Sequence, residues 1–220
     1  MTAHAAFRLR GAGAVVAVLM MAAARAQPVS PAEVLLFETD HLAGLRVPAA
    51  LVYDFQGHDT APFTDTVRLD LAVRDGGTRA TVRFLSGERR QGLPPLDDAH
   101  GNPVLLGFLE YDIAQMSRLT GGSATYFRKR IRMALANGAQ VVAQPVTWQG
   151  RQVAAQVIRI QPYRDDPLHA RYEKYVGKTY RFVLSDSVPG GVYQLATALA
   201  DGAPDDATLT LGVNAAVGTR

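Results

Sequence analysis

Two segments of strict alternation, residues 66–74 and 78–85, constrain the fold more than any other feature of the chain. In the first, Val67, Leu69, Leu71 and Val73 fall on one face, and Arg68, Asp70, Ala72 and Arg74 on the other. In the second, Ala80, Val82 and Phe84 oppose Thr81 and Arg83. Period two is the signature of a half-buried strand. Between them, Asp75-Gly76-Gly77 carries the residue types that tolerate positive φ in a tight turn. The pair predicts an antiparallel hairpin with one apolar face, which another layer must cover.

Two further segments supply candidates for that cover. Residues 103–119 place Leu105, Phe108, Leu109, Ile113, Met116 and Leu119 at spacings of three and four, an apolar helical stripe. Gly121-Gly122 ends it and Ser123 caps a second helix to about residue 136, with Phe127, Ile131, Ala134 and Leu135 on one side. Ahead of the hairpin, Ser30-Pro31-Ala32-Glu33 has the spacing of a capping box and predicts a helix over 31–42. The remaining alternation predicts strands at 50–55, 140–148, 151–163, 178–184, 192–199 and 207–213, with a two-residue turn at Gln149-Gly150 and an edge or bulge at Pro145. Residues 86–102 read as a long loop. The expectation is a single α+β domain over 27–220 with roughly eight strands. They form a curved antiparallel sheet, an incomplete barrel, covered by an inserted helical hairpin and an N-terminal helix.

Residues 1–26 stand apart. Arg8 and Arg10 precede an apolar run over 12–24, and Ala24-Arg25-Ala26 follows as a small-x-small site. This is the pattern of a secretory signal peptide cleaved after Ala26, and it predicts a periplasmic, exported protein with no stable membrane span after cleavage. The segment also explains the charge. The 23 Lys and Arg against 20 Asp and Glu give a net charge of +3, but three of the arginines lie in residues 1–26, so the remainder is neutral. That total does not suit a nucleic-acid binder. Within it, residues 27–112 carry a net −6, residues 113–181 a net +9 and residues 182–220 a net −3, counted from the sequence. Either the segments neutralise one another on folding, or the basic middle meets an anionic ligand or partner.

Motifs for chemistry are sparse. The chain has no cysteine, which excludes disulfides, thiolate metal sites and a cysteine nucleophile. It contains no nucleophile elbow, phosphate-binding loop or dinucleotide glycine pattern, so no cofactor is expected. His41, His58, His100 and His169 match no metal-ligand spacing and read as surface histidines in polar loops; a zinc or acid–base site could be assembled from His41, His58 and Asp54, and Asp65, Glu110 and Asp112 are acids that could face a cavity. The strongest charge cluster is Arg128-Lys129-Arg130 with Arg132, on the second helix, together with Arg118 near the end of the first. Arg128, Arg130 and Arg132 are candidates for contact with an anionic group.

The order of elements over 31–213 resembles the periplasmic lipoprotein-carrier superfamily, the fold of the outer-membrane lipoprotein carrier and its receptor. Asn102-Pro103-Val104-Leu105-Leu106, Tyr126-Phe127-Arg128 and Ser185-Asp186-Ser187-Val188-Pro189-Gly190-Gly191 look like signature segments of an exported family. The resemblance implies an open, curved sheet closed by helices, with acyl chains bound between them. On that reading the protein is a non-enzymatic binder of a lipidic or hydrophobic ligand, its cavity lined by Val67, Leu69, Leu71, Phe84, Phe108, Leu109, Phe127, Trp148, Tyr180 and Phe182. A periplasmic hydrolase using the His/Asp residues, and an envelope-assembly module using the strand edge near Pro145 or the basic helix, are the alternatives.

Overall fold

The structure, a computed structural model, describes residues 28–58 and 61–213. The proposed signal segment lies outside the described residues. The chain opens with the expected capping box: the Ser30 hydroxyl accepts the Glu33 N–H at 3.1 Å and the Glu33 carboxylate accepts the Ser30 N–H at 2.9 Å. The helix α1, Pro31–Glu33, widens into a π-helical turn over Val34–Glu38 and stops there, shorter than the 31–42 expected. The Thr39 hydroxyl and N–H both donate to the Val34 carbonyl, and Asp40 takes the Leu42 N–H. Side chains thereby capture the groups a longer helix needs.

The alternating segments form long strands. β1 (Ala49–His58) pairs along its whole length with β2 (Pro62–Arg74), which pairs with β3 (Gly77–Phe84). Asp75 and Gly76 both have positive φ, as the tight turn requires. Val73, expected on the apolar face, is 65% exposed, because β2 runs past the start of β1 at Ala49. The loop after β3 holds one short strand, β4 (Gln91–Gly92), and Leu96 exchanges two backbone hydrogen bonds with Ala80.

The helices α2 (Val104–Thr120) and α3 (Ala124–Gly138) follow. Gly121, at φ +70°, closes α2, and the Ser123 hydroxyl caps α3. The two strands expected next are each broken. Gln144-Pro145 separates β5 (Gln140–Ala143) from β6 (Val146–Trp148), and Ala154-Ala155 separates β7 (Arg151–Val153) from β8 (Gln156–Ile160). Pro145 cannot donate to a ladder, so β6 and β7 leave the main sheet as a two-stranded ribbon turning at Gln149-Gly150. Three strands complete the fold: β9 (Thr179–Leu184), β10 (Val192–Ala198) and β11 (Asp205–Leu211).

Among the described residues, nine of the eleven strands form one antiparallel sheet in the order β4-β3-β2-β1-β11-β10-β9-β8-β5. The sheet is not closed into a barrel; β4 and β5 are its edges. Its apolar face, including Leu51, Tyr53, Val67, Leu69, Phe182, Leu195 and Leu209, packs with Leu105, Phe108 and Met116 of α2 and Phe127, Ile131 and Leu135 of α3 in one core. The ribbon covers a small cluster on the other face, where Val146 and Tyr193 pack on Ala155, Val157 and Val183. No helix among the described residues is long and apolar enough to cross a membrane.

Two glycines test the turns. Gly76 faces open space at φ +85°, so Gly76→Ala is expected to cost about 1 kcal/mol from the backbone alone. Gly190 is also at positive φ, and an added Cβ would sit 2.4 Å from Leu51 Cδ1 and 3.0 Å from Asn102 Nδ2. Gly190→Ala is expected to cost more than about 3 kcal/mol, and urea unfolding of the two variants measures the difference.

Candidate functional site

At one end of the sheet β1, β8 and β10 stop while β2, β9 and β11 begin. Two buried polar nodes and three cavities gather there. The first node is built on Asp112. The helical period that buries Phe108, Leu109, Ile113 and Met116 also buries this carboxylate, which is 2% exposed. Lys178, just before β9 and equally buried, reaches it with Nζ 2.5 Å from Oδ1. Tyr180 donates its hydroxyl to the other carboxylate oxygen, and Tyr163 stands 3.0 Å from the Tyr180 hydroxyl. Asp206 completes the surroundings of Lys178 at 3.6 Å. Burial raises both tyrosines well above the ordinary range and the Asp112 charge adds to it, so both hydroxyls keep their protons.

The second node is Asp166. Its side chain is fully buried, ion-paired at 2.9 Å with Arg130 of α3, and it accepts the Leu168 N–H at 2.8 Å and the Tyr126 hydroxyl. Burial alone would raise its carboxyl; the tyrosines Tyr126 and Tyr172, the Leu168 N–H and the Arg130 charge outweigh burial and hold it below the usual carboxylate range. Arg130 Nε also donates to the Pro162 carbonyl. Asp166 lies in a turn, its N–H donating to the Tyr163 carbonyl and its carbonyl accepting the His169 N–H, and it also anchors α3.

Around these nodes the helix layer parts from the sheet. A cavity of about 410 Å³ is lined by Tyr111, Asp112 and Leu119 of α2, by Tyr175 and Lys178, and by Leu199 and Asp206. A groove of about 510 Å³ lies between the C-terminal half of α3 and the end of β8. A third concavity, about 670 Å³, lies against His58, Phe63 and Asp206.

The ten residues expected to line a ligand cavity are all buried in the core: Val67, Leu69, Leu71, Phe84, Phe108, Leu109, Phe127, Trp148, Tyr180 and Phe182. The three cavities are lined by other side chains. Of the candidate anion contacts, Arg128 is held bidentately by Glu110 of α2 at 2.7 and 2.9 Å. Arg130 lines the groove, and Arg132 is exposed on α3.

His41, His58 and Asp54 do not converge. Asp54 is on the outer face of β1, His58 is at its end, and His41 is buried under the opposite end of the sheet. There His41 Nε2 donates to the Leu35 carbonyl at 2.9 Å, and Nδ1 accepts the Asn102 N–H at 3.2 Å. Asn102 in turn donates to the Tyr53 hydroxyl and the Gly190 carbonyl, both at 2.8 Å. His100 pairs with Asp40, and His169 Nδ1 lies 2.8 Å from the Asp166 carbonyl. Among the described residues no group of three or more His, Asp and Glu could hold a metal ion.

Sequence reasoning missed Asp112, Lys178 and Tyr163 as a set. The readable signal was an acid within an otherwise apolar helical stripe. No protein-family model matches the chain, and no curated protein matches it in sequence.

Burial lowers the His41 imidazole below its ordinary value, although Asp40 and Asp186 favour its protonated form. Protonation would also turn Nδ1 into a donor facing the Asn102 N–H. The unfolded chain therefore binds the proton more readily, and stability is expected to fall as pH drops through about 6.5. Urea midpoints between pH 8 and pH 5 measure that slope, which His41→Gln should reduce. Separately, Lys178→Met strands the Asp112 carboxylate and is expected to cost about 3–5 kcal/mol. Asp112→Leu/Lys178→Met should cost at least about 1 kcal/mol less than Lys178→Met alone, as a double-mutant cycle would show.

Proposed function

We propose that this is an exported, non-enzymatic protein of the bacterial envelope that binds an amphiphile. Its acyl or other hydrophobic chain lies between the open sheet and the hairpin of α2 and α3, in the manner of the lipoprotein-carrier superfamily. Residues 1–26 direct export and are removed after Ala26. The observation that carries the reading is the parting of helix layer and sheet at one end, into cavities of about 410 and 510 Å³ with mixed charged and apolar linings. Those volumes suit a small amphiphile.

The middle of the layer is packed, so a bound chain has to displace core side chains or lift a helix from that end. The energetics set a lower limit on the chain. Each buried methylene contributes about 0.8 kcal/mol, against an association cost of at least about 4 kcal/mol. Chains shorter than about five carbons therefore gain nothing, whereas a twelve-carbon chain leaves a surplus. The open edge β5, with Val142 52% exposed, gives the alternative of an assembly module a surface but no indicated partner.

Dodecyl maltoside below its micellar concentration is expected to bind the purified chain, and native mass spectrometry to find co-purified amphiphile. Leu119→Asp, at a position 51% exposed on the 410 Å³ cavity, should weaken binding about fivefold or more while changing stability by less than about 0.5 kcal/mol. Calorimetric titration that detects no dodecyl maltoside binding contradicts the proposal.

A further inference from the structure

The cavity beside Asp112 contains a donor that hydrocarbon binding does not use. Lys178 lines it, and its side chain is only 3% exposed. An ammonium carries three N–H donors. Among the described residues Nζ has one hydrogen-bond acceptor, the Asp112 carboxylate at 2.5 Å. Asp206 Oδ2 lies at 3.6 Å, close enough for an ion pair and too far for a direct hydrogen bond. A buried donor without an acceptor is costly, so the remaining N–H groups of Lys178 call for a further oxygen.

Asp206 is brought there by a break in the sheet register. β10 and β11 pair Thr197 with Ala207 and then Ala198 with Asp205, so Asp206 is an extra residue in β11. A bulge of this kind re-aims a side chain. Ala207, Leu209 and Leu211 point into the core, and strict alternation would set Asp206 on the other face of the sheet. Its carboxylate instead reaches Lys178, which is bound to α2. Among the described residues Lys178 is the one cation within ion-pair distance of Asp206.

The charges around the cavity select the chemistry of its occupant. Asp112 and Asp206 balance Lys174 and Lys178 in the lining, with His58 neutral. An anionic head that approaches Lys178 meets two carboxylates, and a cationic head that approaches Asp206 meets the ammonium. A hydroxyl avoids both conflicts, because its oxygen accepts from the ammonium while its hydrogen goes to the carboxylate. A hydroxyl oxygen about 2.8 Å from each group spans the gap between them. Leu119 and Leu199 supply an apolar part of the same lining.

We infer that this cavity holds the head of the amphiphile, that the head is an uncharged polyol such as a glycerol or sugar unit, and that one of its hydroxyls bridges Lys178 and Asp206. Hydrogen bonds to charged groups are stronger than those between neutral ones. The assignment to an amphiphile head rests on the amphiphile reading; recognition of a hydroxyl by Lys178 and Asp206 does not.

Four probes separate the two: dodecyl maltoside, a methyl-capped polyethylene glycol dodecyl ether with the same chain and no hydroxyl, dodecyl phosphate, and maltose. Each is titrated calorimetrically into the full chain, the detergents below their micellar concentrations. Dodecyl maltoside is expected to bind about tenfold or more tighter than the capped ether. Asp206→Ala should bring that ratio toward one and leave the affinity for the ether unchanged. Lys178→Met alone strands Asp112, so the lysine is tested in Asp112→Leu/Lys178→Met, where the ratio should also collapse. Equal binding of maltoside and ether, a ratio that survives both variants, or dodecyl phosphate binding tighter than the maltoside overturns the inference and leaves the amphiphile reading standing. Maltose binding as tightly as dodecyl maltoside, with the same loss in Asp206→Ala, supports the hydroxyl site and contradicts its assignment to an amphiphile. Failure of all four probes overturns both.

Discussion

A carboxylate in the apolar stripe of a helix has to be paired, and the pairing of Asp112 determines how α2 meets the sheet. Its partners, Lys178 and Tyr180, are the residue preceding β9 and the second residue of β9. Through them one turn of α2 is fixed to one strand end by two charged groups that are almost wholly buried. Apolar packing tolerates small slides of a helix over a sheet. A lysine and a tyrosine on two oxygens of one carboxylate do not, because a slide would leave a buried charge without its partner.

The other helices are tied down in the same way, each by a polar contact at its margin. The buried Asp166 holds α3 through Arg130 and Tyr126. The Ser30 hydroxyl joins α1 to the Leu135 carbonyl of α3. Asn102, at the start of α2, binds β1 through Tyr53 and the β9–β10 turn through Gly190. The apolar face of an unclosed sheet thus receives a cover whose position is set at a few marginal polar contacts, while its middle is apolar. That arrangement leaves gaps where the anchors stand off the strand ends, and the cavities lie beside two of these anchors, Asp112 and Arg130.

Much of this was legible in the sequence. The hairpin of β2 and β3, the capping box at Ser30, the stripes of α2 and α3 and the turn at Gln149-Gly150 are local patterns, and the structure carries them, except that Leu119 of the α2 stripe and Val73 of the hairpin face are exposed. The segments beginning at Asn102 and ending at Gly191 stood out as motifs, and they meet: Asn102 reaches Gly190 across the fold. What could not be read was long-range pairing. Asp112 and Lys178 are 66 positions apart, Tyr126 and Asp166 are 40 apart, and no local period links them. The break of β5 from β6 at Gln144-Pro145 was marked only by one proline. The expected lining residues were chosen for apolarity, and apolarity identifies a core as readily as a cavity. The side chains that line the cavities are instead a mixture of charged, polar and apolar residues on α2 and α3, at strand ends and in loops.

On the proposed reading, an amphiphile enters where the helix layer parts from the sheet. Amide hydrogen exchange of the full chain, with and without dodecyl maltoside, tests that entry. Altered exchange is expected to concentrate in residues 111–119, 130–138, 159–164 and 199–207, with the ribbon at 146–153 unchanged. No change at that end, or a change confined to the ribbon and the 74–77 turn, would contradict it.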